Sequence, residues 1–226
     1  MNKLIILSAL LSVPALADLE SVNIPSGQIH VPLGFDSNDK QVEVIVTGAV
    51  PDTCHKRPQG KVSIDGNKIK ITMKADKVSG HGVYCIKAVV PYMVSVPLGQ
   101  LSEGLYQVSA GKDEQKSYNL VVGTPGSASI DNFTYANVMN VKTAENGNIV
   151  LSGEHPSNCM DIERVEMIAN ENLDTFSILP IVTKTAEECN LVMTPFSKEI
   201  PAPAKTASDV VFHIRRLDGT AINFRW

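Results

Sequence analysis

The chain has 226 residues, 43% of them hydrophobic and 5% aromatic, with 20 basic and 24 acidic side chains and a formal charge of -4. That mild acidity excludes a general nucleic-acid or anionic-membrane surface, both of which need basic patches. The length is generous for one domain and comfortable for two of about 100 residues each.

The first segment, residues 1–17, reads as a signal peptide. Lys3 supplies a positive start, Leu4 to Leu16 is mostly apolar, and Ala15-Leu16-Ala17 presents small residues where signal peptidase cuts. The apolar run is too short to span a bilayer, and no second long one follows. The expectation is a periplasmic or secreted protein with no integral membrane segment after cleavage.

Strand signals then dominate. Gln41 to Val46 alternates before turning fully apolar. Lys61 to Ile64 and Lys68 to Met73 alternate cleanly around the turn Asp65-Gly66-Asn67, and Leu105 to Ser109 alternates again. Near the end, Val210 to Ile214 and Ala221 to Trp226 flank Asp218-Gly219, a two-residue hairpin signal. Helical spacing is weak. Only Cys159 to Ala169 also fits a helix, through Ile162, Val165, Met167 and Ile168. The chain is therefore expected to be all-β.

Four cysteines in an exported chain read first as disulfides. Cys85 follows Cys54 at almost the separation at which Cys189 follows Cys159. That near-equality favours the pairs Cys54–Cys85 and Cys159–Cys189, each closing a loop of about 30 residues and contributing roughly 3–4 kcal/mol.

The cysteines belong to an internal repeat of about 105 residues. Gly48-Ala-Val-Pro-Asp-Thr-Cys54 and Gly153-Glu-His-Pro-Ser-Asn-Cys159 both read G-x-x-P-x-x-C. Each second cysteine is followed by a Pro-aromatic pair, Pro91-Tyr92 or Pro195-Phe196, and then by Val96-Pro97 or Ile200-Pro201. The expected domains are residues 18–122 and 129–226, each an antiparallel β-sandwich, joined by a Gly/Pro/Ser linker at 123–128. So short a linker places them close together, with room for a small interface.

These motifs, with Leu101 to Gly111 in the first copy, resemble small immunoglobulin-like or fibronectin-like β-sandwich modules of exported bacterial proteins. The resemblance implies a fold and an address, not a ligand, because such folds host many functions. The second copy lacks the Leu-x-x-Gly-x-Tyr part and has Lys205 to Phe212 there.

No G-x-S-x-G, H-E-x-x-H, C-x-x-C or phosphate-binding loop occurs, so the protein is not expected to be an enzyme, and no cofactor is called for. In the repeated motif, Pro51 and Pro156 end strand pairing, Gly48 and Gly153 let the backbone turn, and the polar residues satisfy a corner. One alternative is a copper or zinc site using His55 and His81 beside the cysteines, with Met160, Met193 and His155 as a separate cuprous set. Another is a protease inhibitor that presents a disulfide-braced loop. The favoured expectation is a binding or structural module whose partner is a protein or an envelope component. The candidate contact residues are His55, Lys56 and Arg57, with His81 and Tyr84 in the Gly-rich loop before Cys85.

Overall fold

The computed structural model describes residues 18–111, 116–124, 133–203 and 209–226. The signal-peptide segment 1–17 and linker positions 125–128 lie outside the described residues. Among the described residues there is no helix. The N-terminal strands are β1 (Asp18–Asn23), β2 (Ile29–His30), β3 (Phe35–Asp36), β4 (Val42–Val50), β5 (His55–Asp65), β6 (Lys68–Ser79), β7 (Val90–Gly99), β8 (Gly104–Ala110) and β9 (Ser117–Gly123). The C-terminal strands are β10 (Val138–Thr143), β11 (Ile149–His155), β12 (Met160–Ala169), β13 (Thr175–Lys184), β14 (Thr194–Ile200), β15 (Val211–Arg215) and β16 (Ala221–Arg225).

In the N-terminal half, a sheet ordered β2-β4-β7 faces a larger one in which β5 and β8 flank β6, with β9 and β3 beyond β8 and β1 along the far end of β6. The alternation of β6 explains the packing. Ile69, Ile71, Met73 and Ala75 turn inward against Val44, Val46 and Val96 of the facing sheet, while Lys68 and Lys70 stay outside. The β5–β6 hairpin pairs Asp65 with Lys68, and Gly66 at φ 56° supplies the left-handed turn residue. In the C-terminal half, β10-β11-β14 faces β12-β13-β15-β16 around a separate core that includes Ile149, Leu151, Ile178, Phe212 and Ile214. Strand pairing follows the same order in both halves, including the parallel contacts of β6 with β8 and of β13 with β15.

One ambiguity is resolved and two expectations need correction. Residues 160–169 form strand β12, paired with β13 along its whole length. A bulge between Ile162 and Arg164 shifts the inward parity by one residue, so Ile162, Val165, Met167 and Ala169 all reach the core. The resulting i, i+3 step imitates a helix. The Asp218-Gly219 turn is not a two-residue hairpin. Arg216 N–H donates to Thr220 C=O, Gly219 N–H donates to Arg216 C=O, and Gly219 has φ 77°, which makes a three-residue loop with a glycine bulge. Finally, Gly48 and Gly153 lie inside β4 and β11 and are not among the residues with positive φ. They are required by crowding: a Cβ at Gly48 would fall 2.5 Å from the Tyr92 hydroxyl, and one at Gly153 would fall 2.0 Å from the Asn137 carbonyl oxygen.

The two halves meet across a polar junction. The outward face of β13 and β15, which would otherwise meet water, lies against β2, β3 and β4. Ser177 Oγ bonds both the N–H and the C=O of Leu33 at 3.0 Å. Gln28 donates to Asp174 at 2.8 Å, and Arg215 donates to Gly34 C=O at 3.2 Å while its guanidinium lies 4.5 Å from the centre of the Phe35 ring. His30, Ser177, His213 and Arg215 are all buried.

Candidate functional site

The two disulfides form as expected, Cys54–Cys85 and Cys159–Cys189. Each pins an irregular segment to the corner between two strands, and the same backbone bonds hold both. At the first corner, Thr53 N–H donates to Ile86 C=O at 3.1 Å, Ile86 N–H donates back to Thr53 Oγ1 at 3.0 Å, and Val78 N–H donates to Cys54 C=O at 3.0 Å. At the second, Asn158 N–H donates to Asn190 C=O at 3.3 Å, Asn190 N–H to Asn158 Oδ1 at 3.1 Å, and Thr185 N–H to Cys159 C=O at 2.7 Å. Asp52 and Ser157 cap the cysteine N–H groups. The polar residues of the motif therefore serve the corner.

The tethered segments themselves present apolar side chains to solvent. Tyr84 is 96% exposed, and Ile86 and Val89 stand beside it. In the second half Leu191 is 90% exposed, followed by Val192 and Met193. Singly exposed apolar side chains are ordinary, but three together on one braced segment form a patch of the kind that marks a contact surface. The sequence drew attention to Tyr84 but not to Ile86, Val89 or Leu191. The apolar run after each cysteine reads as the start of a strand, whereas β7 begins only at Val90 and β14 only at Thr194.

The remaining candidates are dispersed. His55 Nδ1 bonds Asp52 Oδ1 at 2.7 Å, and this bond chiefly holds the Asp52 carboxyl below its ordinary range. Lys56 is exposed on β5. Arg57, at φ 48° beside the β5 bulge, pairs with Asp76 at 2.7 Å. His81 is exposed between Gly80 and Gly82, both at positive φ. Asp52, Cys54 and Cys85 lie within 4.8 Å of one another, but the two sulfurs are bonded together and offer no thiolate. Met160 packs against the second core, buried His155 stacks on Phe196 at 4.5 Å, and Met193 is exposed.

Residues 44–120 match the ORF11 beta-sandwich domain. The matched stretch runs from within β4 to within β9 and so contains the first disulfide and the first tethered segment. No curated protein and no solved structure matches the chain. No helix among the described residues is long and apolar enough to cross a membrane.

Proposed function

We propose that the chain is an exported, non-enzymatic binding protein made of two tandem immunoglobulin-like modules, residues 18–122 and 129–226, related by an internal repeat of about 105 residues. Its partner is a protein or envelope component, gripped through the disulfide-tethered segments. Four observations support the tandem reading: the matching strand orders, the separate cores, the equivalent disulfides and the equivalent corner hydrogen bonds. Two disulfides suit an oxidising compartment such as the periplasm.

The observation that carries binding is the exposure of Tyr84, Ile86 and Val89 in one half and of Leu191, Val192 and Met193 in the other. Segments braced at both ends lose little conformational entropy when a partner takes hold of them. The test is in-cell crosslinking followed by mass spectrometry, comparing the unaltered protein with Tyr84→Ser/Ile86→Ser/Val89→Ser and Leu191→Ser/Val192→Ser/Met193→Ser variants. Loss of specific crosslinks in either triple variant is expected. An unchanged set in both refutes the reading.

A second reading, protease inhibition, draws on the backbone of Ile86, held on both sides by Thr53 while Tyr84 and Lys87 project outward. Titration against trypsin-like and chymotrypsin-like proteases separates the two. Inhibition lost in the Tyr84/Ile86/Val89 variant would favour it.

A further inference from the structure

We propose that the junction between the two halves is an acid-released latch whose trigger is His213: protonating its imidazole parts β13 and β15 from β2, β3 and β4.

The hydrogen bonds around His213 leave room for only one protonation state in the closed junction. Asn223 Nδ2 donates to Glu43 Oε1 at 3.3 Å and to Ser95 Oγ at 2.5 Å. Asn223 Oδ1 is thereby turned to accept from His213 Nδ1–H at 2.9 Å. The other nitrogen, Nε2, is buried and has no hydrogen-bond partner among the described residues. A proton placed there has no acceptor, and a buried donor without a partner is costly. The charges facing the ring add to this. From its own strand, Arg215 repels a second cation. From β4, Glu43 lies 3.4 Å away but is already shared with Asn223. Asp39, from the loop before β4, sits 3.8 Å from Arg215. From β3, the Phe35 ring meets the imidazole edge-on at 6.0 Å and offers no charge. The polar cleft beside the ring, lined by Gln41, Glu43 and Thr220, has room for at most a single water, so full hydration of the imidazolium needs the junction to open.

Burial and Arg215 hold His213 at about 3, against an ordinary value of 6.5. A histidine depressed in the closed form stabilises that form fully above pH 6.5 and progressively less as pH falls toward 3. His30, at the other end of the junction, moves in the same direction: burial lowers it, although Asp174 and Asp209 face it at 3.9 and 3.7 Å and pull the other way, with Arg225 behind Asp209. Glu43 opposes the release. Burial raises its carboxyl above 4.5, so its proton uptake favours the closed form within the histidine window and offsets part of the release there.

The test is amide hydrogen exchange of the full, oxidised chain from pH 7.5 to 4.5, corrected for intrinsic rates, with the radius of gyration measured alongside. The opening equilibrium of the segments around Leu33 and Val211 should rise about 10- to 100-fold across that range, the histidine effect less the Glu43 offset. Far-UV circular dichroism should stay constant, and the change should reverse on neutralisation. His213→Gln should lessen the response and leave the part that His30 carries. A flat curve in the unaltered protein, a rise confined below pH 4.5, or simultaneous loss of β-sheet signal would each overturn the proposal. So would an unchanged response in a folded His213→Gln. The first three need no variant, so they decide the matter even if His213→Gln does not fold.

Discussion

Replacing Gly153 by alanine tests why the repeated motif begins with glycine. An alanine Cβ would stand 2.0 Å from the backbone oxygen of Asn137 and 3.1 Å from the amide nitrogen of Met139. Cβ atoms do not approach backbone inside 3.0 Å, so β10 must withdraw from β11 by about 1 Å near Val138, which pairs with Gly153. The bond from Glu154 N–H to Asn137 C=O, 3.3 Å long, would open. Overpacking costs about 1–3 kcal/mol and the lost bond about 1 kcal/mol, while the stiffer unfolded chain returns about 0.5 kcal/mol. A net loss of about 2–3 kcal/mol follows. Urea denaturation followed by Trp226 fluorescence reads it directly, because Trp226 packs on Phe212 in the second core at 5.7 Å. Gly147→Ala is the comparison. Its φ of 85° is strained for alanine but nothing lies within 4 Å, so about 1 kcal/mol is expected. A Gly153→Ala protein within 0.5 kcal/mol of the unaltered one would refute the crowding explanation.

Removing either disulfide by paired serine substitution should cost about 3–4 kcal/mol, and nearly the same for each, because the bridged positions are 31 and 30 residues apart. Calorimetry of Cys54→Ser/Cys85→Ser and Cys159→Ser/Cys189→Ser checks both the size and the equality. Asp174→Ala should destabilise by about 2–4 kcal/mol in thermal melts, since its carboxylate accepts from Gln28, Asn170 and Thr175 at 2.8 Å and their donors would be left without it. Tyr92, whose hydroxyl donates to Pro25 C=O, is pushed up by burial to about 12. An acid raised in the folded state stabilises below its ordinary value of 10 and loses that contribution as pH climbs toward 12. Ultraviolet titration should therefore show one tyrosine ionising late, and Tyr92→Phe should abolish that phase.

Much of the architecture is legible in the alternation of single strands. Lys68 to Met73 announces β6, Asp65-Gly66-Asn67 announces its hairpin, and the cysteine spacing announces both bridges. These features are local, or repeat at a fixed offset. The junction is neither. His30 meets Asp174, and Glu43 meets Asn223, across more than half the chain, and nothing near either histidine hints at its partner. One signal was available: Ile178 to Val182 is an unbroken apolar run, which suits a strand covered on both faces, as β13 is from Thr175 to Val182. The role of the motif's glycines is hidden for a related reason, since the neighbours that crowd them, Tyr92 and Asn137, come from other segments. The exposed segments were hidden by their own apolar composition, which reads as strand until the disulfide-held corner is seen to leave them unpaired.

The polarity of the junction bears on how the chain is made. During synthesis or export from the N-terminus, the surface carrying His30, Leu33, Gly34 and Glu43 emerges long before Asp174, Ser177 or Arg215 exists to cover it. A greasy face left waiting that long would recruit other unfinished chains. A face that bonds through hydroxyls, carboxylates, imidazoles and backbone carbonyls can be satisfied by water in the interval and exchange that water for its proper partners when they arrive. The first half is thus able to fold and wait, and the second completes it without a sticky intermediate between them.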